Sequence, residues 1–377
     1  MNIYLDNAAT TPIAPEVITV MTDALKNDFG NPSSVHSFGR QSKSAIETAR
    51  RSIAKHLNAS ASEILFTSGG TEADNMALTC AINDLDVKRI ITSSIEHHAV
   101  LHTAEMLNNS PDIELEFVKL TPDGHIDLVH LESLLAENAS KTMVSLMHAN
   151  NEIGNLLPID KVSALCRKYD AFFHSDTVQT MGHYHFDLKE LDIDFITGAA
   201  HKFHGPKGIG FLYINKNLKI APLIHGGAQE RGLRGGTENL YGIVGLAKAM
   251  DLAYEGLEAH QKHVQHLKTY MIDSLKAFFK DQVDFHGDTT PEKSLYTVLN
   301  VCFPETAKAG LLLFTLDLKG VACSGGSACS SGSNLGSHVL RGISADANRP
   351  NARFSFSRYT TKEEIDKALE VVKEVFL

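Results

Sequence analysis

Between residues 63 and 214, short, unbroken apolar runs alternate with amphipathic segments, and this alternation limits the fold more than any other feature of the chain. The runs are EILFTS (63–68), KRIITSS (88–94), ELEFVKL (114–120), TMVSLMHAN (142–150), AFFHSD (171–176), DFITGA (194–199) and GIGFLYI (208–214). Helical stretches at 71–82, 97–107, 127–137 and 160–169 separate most of them. Strands that are apolar along their whole length are covered on both faces, and helices between them make the sheet mostly parallel. Such sheets bind ligands beyond the carboxyl ends of their strands.

The flanks fit an α/β layout. Residues 15–26 put Val17, Ile18, Met21, Ala24 and Leu25 on one helical face behind Pro15, and 41–57 repeat the pattern through Ile46, Ala49, Ile53 and Leu57. From Asn239 to about Phe279 the pattern stays helical, as one or two helices leading out of the sheet. A smaller α/β unit follows: strand 296–303, helix 307–318, strand 352–357 and a last helix opened by the capping box Thr361-x-x-Glu364. The expected division is a large domain over 15–255 and a small one built from 1–14 and 256–377.

Bulk properties exclude several classes. A chain of 377 residues, 43% hydrophobic and 21% charged, has material for a large core. Its net charge of −10 carries no basic stripe for nucleic acid. No apolar run approaches the ~18 residues of a membrane span, and the start lacks the pattern of a signal peptide. Five unevenly spaced cysteines do not make a disulfide framework, so a reducing cytoplasm is expected.

Lys202, in GAAHKFHGPKGIG (198–210), raises the first chemical question. It reads either as a solvated loop lysine or as an amine held in a site. Asp176 ends a buried strand, where a carboxylate can pair with a cationic nitrogen or simply cap a turn. In FTSGGTEADN (66–75) a strand runs through Gly69-Gly70-Thr71 into a helix, which makes either a phosphate cradle or a tight turn. Together an amine, a carboxylate and an anion cradle at the strand ends of one sheet are what pyridoxal phosphate requires. His97 would join them at a strand-to-helix junction, able to stack on a flat ring or move protons. His98 and His102 have helical metal spacing, but no further ligand completes a zinc set, and no metal is expected. Cys80, Cys166 and Cys302 read as core residues. Cys323 and Cys329 lie in the serine- and glycine-rich VACSGGSACSSGSN, where a thiol is solvent-reachable.

These stretches resemble the cysteine desulfurases of the NifS/IscS type, first group, within the fold-type-I pyridoxal-phosphate enzymes (class V aminotransferase superfamily). The likeness covers YLDNAATTP (4–12), GNPSSVHSFGR (30–40), FTSGGTEADN, EHHAVL (96–101), NNEIG (150–154), HSDTVQ (174–179), AHKFHGPKGIG (200–210), RGGTEN (234–239), GSAC (326–329) and ARFSFSR (352–358). It implies that Lys202 carries the cofactor and shuttles the substrate proton, Asp176 pairs with the ring nitrogen, Gln179 bonds the ring hydroxyl, and His97 stacks on the ring with Asn151 beside it. Gly70, Thr71 and His201 would hold the phosphate, with Thr237 supplied by the other subunit of a homodimer. Arg353 and Asn31 would grip the substrate carboxylate, and Cys329, on a loop of about 322–335, would be the nucleophile. The implied activity turns L-cysteine into L-alanine and a persulfide on Cys329 for iron–sulfur or thio-cofactor biosynthesis, with a scaffold or tRNA-thiolation protein as sulfur acceptor. A selenocysteine lyase, another enzyme of the class, or a thiol redox or metal-binding protein without the cofactor are the alternatives. Two departures from the family pattern stand out: Ala199 where many relatives have serine, and the extra Cys323, a candidate disulfide partner or second sulfur acceptor.

Overall fold

The computed structural model describes residues 2–137, 140–306, 309–325 and 336–376. Strand β1 (Ile3–Tyr4) precedes helices α1 (Pro15–Asn27) and α2 (Ser37–His56). The sheet then forms as the apolar runs dictate: β2 (Ile64–Thr67), α3 (Gly70–Leu85), β3 (Arg89–Ser93), α4 (His98–Leu107), β4 (Glu114–Val118), α5 (Leu128–Glu137), β5 (Thr142–Ser145), α6 (Ile159–Lys168), β6 (Phe172–Asp176), β7 (Phe195–Ala199) and β8 (Gly210–Ile214). Strands β2, β3, β5, β7 and β8 are buried along their whole length, the signature of a sheet covered on both faces.

The strand order is β2-β8-β7-β6-β5-β3-β4. Every pairing from β7 to β4 is parallel, whereas β8 is antiparallel to both β7 and β2. Because β8 reverses direction twice over, β2 runs the same way as β7. The carboxyl ends of β2, β3, β5, β6 and β7 therefore open on one edge.

Helices α7 (Leu240–Glu255) and α8 (Leu257–Phe279) meet at Gly256, so the long helical stretch is two helices. Beyond them lie β9 (Asp284–His286), β10 (Val298–Cys302), α9 (Leu312–Leu318), β11 (Val321–Ala322), α10 (His338–Gly342), β12 (Asn351–Ser355) and α11 (Lys362–Phe376). A three-stranded antiparallel sheet, β12-β10-β9, carries this unit, and β1 returns to pair with β11. The capping box of α11 is formed: the Thr361 N–H donates to Glu364 Oε2 at 2.9 Å, and the Glu364 N–H to Thr361 Oγ1 at 3.3 Å.

Two large apolar cores follow this division. One packs α1, α2, α6 and α7 on the seven-stranded sheet; the other joins β1, α8, β10, β12 and α11. The apolar stripe expected on α1 is only half used. Val17 and Ala24 are buried, but Ile18 and Leu25 are exposed, as are Phe29, Val35 and Phe38 after it. No helix among the described residues is long and apolar enough to cross a membrane.

Candidate active site

At the shared strand edge lies a cavity of about 230 Å³. Lys202 enters it from the turn after β7, Asp176 from the end of β6, His97 and Asn151 from beyond β3 and β5, and Gly70 and Thr71 from the start of α3. Gln179, Ala199, His201 and Arg353 complete the set expected from sequence, while Ala8, Ala9, Asp74, Met147 and Val178 line it without having been singled out. Asn31 and Thr237 are exposed, and the chain does not bring either to this cavity. Cys329 lies outside the described residues.

Lys202 is not a solvated loop lysine. Its Nζ donates to the carbonyls of Ala8 at 2.6 Å and Ala9 at 2.9 Å, so an ammonium is held inside the site by backbone oxygens. Asp176 is buried, and its Oδ1 accepts the Val178 N–H at 2.8 Å. Burial, reinforced by the nearby Asp74 carboxyl, raises the Asp176 carboxyl well above the ordinary range. A buried carboxylate of that kind gains most from a cationic partner.

His97 caps α4, its Nδ1 accepting the Ala99 N–H at 3.1 Å. Burial first, and the Lys202 ammonium second, push the ring down to about 4, so it is neutral at physiological pH. With Nδ1 accepting, the ring proton sits on Nε2. Gln179 Nε2 donates to the Ala8 carbonyl at 3.0 Å, which leaves its amide oxygen free of that contact.

Helix α3 presents its first N–H groups, which have no intrahelical acceptors, to one end of the cavity. A Cβ on Gly70 would come within 2.7 Å of Val178 Cγ2, so the missing side chain keeps the space open. Glu72 in the same turn is held away from the cavity lining by Arg234, Nε to Oε1 at 2.9 Å and NH2 to Oε2 at 3.1 Å. Arg353 is fully buried; NH2 donates to Asp6 Oδ1 at 2.9 Å and NH1 to the Asn151 carbonyl at 2.8 Å. Its Nε makes no hydrogen bond.

The site fits pyridoxal phosphate: an amine, a buried carboxylate for a ring nitrogen, a neutral imidazole, a helix N-terminus for the phosphate and a guanidinium in the cavity wall for a carboxylate. Among the described residues the one trio close enough to share a metal is Asp74, His97 and Asp176, whose ligand atoms lie within 4.8 Å of one another. His98 and His102 instead stack face to face at 4.6 Å, with His338 at 4.4 Å on His98.

Cys80, Cys166 and Cys302 are buried as expected. Cys323 is half-buried. It packs against the core of the smaller unit, and burial, with the Asp6 charge, pushes it up to about 12. A thiol so rarely ionised is a poor disulfide partner or sulfur acceptor.

The sequence matches the family model described as aminotransferase class-V over residues 3–368. It is 42% identical to the cysteine desulfurase IscS of Dictyoglomus turgidum, over 99% of this chain and 94% of the relative. A solved NifS-like protein superposes with a TM-score of 0.91 at 36% identity, covering 100% of this chain and 99% of that one. A structure described as SspA in complex with cysteine matches with a TM-score of 0.81 at 31% identity, covering 95% and 100%.

Proposed function

Because the chain belongs to the class-V aminotransferases, and within them to the cysteine desulfurases, we propose that it uses pyridoxal 5'-phosphate to take sulfur from L-cysteine, leaving L-alanine and a persulfide on Cys329. The observation that carries this reading is the convergence of Lys202, Asp176, His97 and the start of α3 on one cavity that also holds the buried Arg353. Bound there, the cofactor supplies an electron sink for bonds at the substrate Cα.

The protein's own groups do the rest. Lys202 is the covalent seat and, once released from it, the base that moves the Cα proton, with the Ala8 and Ala9 carbonyls fixing its position. Bound in this cavity, the cofactor would have Asp176 for its ring nitrogen, Gln179 for its ring hydroxyl, and His97 and Asn151 for its ring. Gly70, Thr71 and His201 would hold the phosphate, and Ala199 in the same lining offers it no hydroxyl. Arg353, which lines the cavity, takes the substrate carboxylate, joined by Asn31; arginine's fork suits that anion. Cys329 receives the sulfur.

The working unit in this reading is a homodimer. Two features support it: the exposed apolar group Ile18, Leu25, Phe29, Val35 and Phe38, and Thr237, which is exposed and outside this copy's cavity. The two cores support a large domain over 15–255 and a small one from 1–14 and 256–377. Sulfur passes onward to an acceptor protein in the cytoplasm.

The test is the visible spectrum of the purified protein before and after L-cysteine, followed by borohydride reduction and peptide mapping. A yellow protein that responds to cysteine, with the pyridoxyl adduct on Lys202, is the expected result. Cys329→Ser should bind cysteine yet form no persulfide. A colourless protein, or sulfide release unchanged in that variant, would overturn the mechanism.

A further inference from the structure

We propose that Asp74 and Asp176 form a carboxyl–carboxylate pair on the cavity floor, Asp74 holding the proton and Asp176 the charge. Asp74 is 1% exposed and Asp176 5%, and an oxygen of each lies within 4.8 Å of the other and of a His97 ring nitrogen. Two ionised carboxylates that close, away from water, repel strongly, and such pairs keep one proton.

Geometry decides which one. Asp176 Oδ1 accepts a backbone N–H from Val178 at 2.8 Å and feels the Lys202 ammonium, and both favour the anion. Asp74 Oδ1 accepts no hydrogen bond. His174 Nε2 lies 3.4 Å from it. That imidazole is fully buried and pushed down to about 4, with Nδ1 on Ser145 Oγ at 2.8 Å and Nε2 on Thr197 Oγ1 at 3.2 Å. It is neutral, so it supplies no charge to hold Asp74 ionised. The third carboxyl in the neighbourhood, Glu96, is also buried and, protonated at neutral pH, supplies no positive charge to hold Asp74 ionised. Burial raises Asp74 well above the carboxylate range, with the Thr197 hydroxyl offsetting part of the effect.

A metal on the same trio is disfavoured by His97, because its Nδ1 already accepts the Ala99 N–H and its Nε2 carries the proton. Asp74 is therefore a positioning residue that acts through Asp176. By keeping the proton itself, it leaves Asp176 as the anion that meets a cationic ring nitrogen. Only this last consequence rests on the pyridoxal reading.

The experiment is infrared difference spectroscopy on the full-length protein, with and without pyridoxal phosphate, comparing wild type with Asp74→Asn and Asp176→Asn. At neutral pH, wild type minus Asp74→Asn should show a protonated-carboxyl C=O band that shifts in heavy water. In Asp176→Asn the Asp74 midpoint should move toward acid, because the repelling neighbour is gone. Asp74→Asn, a neutral isostere, should retain the cofactor. Ionised-carboxylate bands for Asp74 at neutral pH, an unmoved midpoint in Asp176→Asn, or loss of cofactor from a folded Asp74→Asn would each overturn the pair. Should Asp74→Asn not fold, the Asp176→Asn midpoint decides alone. Failure of the cofactor reading would show separately, as the absence of a pyridoxyl adduct on Lys202.

Discussion

Glu96 is among the most deeply buried side chains near the cavity, yet both its oxygens are satisfied, by the Ser93 hydroxyl at 2.7 Å and the Met147 N–H at 2.8 Å. Burial, with the Asp176 charge as a lesser cause, raises it from 4.5 to about 8, so it stays protonated at neutral pH. A folded-state value above the unfolded one stabilises below 4.5, and that stabilisation is lost as pH climbs through about 8. Glu96→Gln should therefore melt close to wild type below pH 4.5 and increasingly above it as pH rises from 4.5 to about 8, as calorimetry across pH would show. Arg353→Lys tests the carboxylate grip. Losing a charged hydrogen bond worth ~1.5–3 kcal/mol should raise KM for L-cysteine by roughly 10- to 100-fold, with a smaller effect on kcat. Lys202, Asp176 and His97 were legible in the sequence because each follows a buried run directly, where a parallel sheet exposes its ligands. Asp74 was not, because an acid inside a helix reads as part of a solvated face. Its spacing held the missed signal: Asp74 shares a period with Ala77, Leu78, Ala81 and Leu85, all buried.

Strand β8 shows where element-level reading stops. Its apolar run looks the same in either direction, so its antiparallel pairing could not be read from composition, although it puts β2 and the start of α3 at the correct edge. The contact is close. A Cβ on Gly210 would stand 2.5 Å from the Gly198 carbonyl oxygen and 2.8 Å from the Gly69 carbonyl carbon, both backbone atoms that cannot turn aside. Gly210→Ala should destabilise the fold by ~1–3 kcal/mol in denaturant titration and weaken cofactor binding with it. The segment leading to Thr237 depends on a second tether. Glu230 and Arg231 both take positive φ, at 45° and 58°, and are held there by a buried two-pronged pair between Arg50 and Glu230 at 2.8 and 2.7 Å. Glu230→Ala leaves the buried Arg50 with only the more exposed Glu47 carboxylate, at 3.1 Å from its Nε, as a charge partner. The expected cost is about 3–5 kcal/mol, measured by chemical unfolding.

At the scale of the whole molecule, the cavity draws on both cores. Lys202, Asp176 and Gly70 come from the seven-stranded sheet, while Arg353 stands on β12 of the smaller one. A ligand that binds this seam stabilises the folded chain by mass action, by about 2.7 kcal/mol at a concentration of 100 Kd. Removing the cofactor should accordingly lower Tm and raise hydrogen exchange most around residues 6–11 and 351–355, a pattern that mass spectrometry can map. A further sheet beyond the seven-stranded one was legible because the long helical stretch breaks the strand–helix alternation before it. The return of β1 to β11 was not, since two residues carry no periodicity. The carbonyls that hold the Lys202 ammonium lie 194 and 193 positions away in the chain, in residues whose methyl side chains have no reactivity of their own. A protease cut beside Ala9 would thus set that amine adrift and silence the enzyme while every reactive group stayed intact.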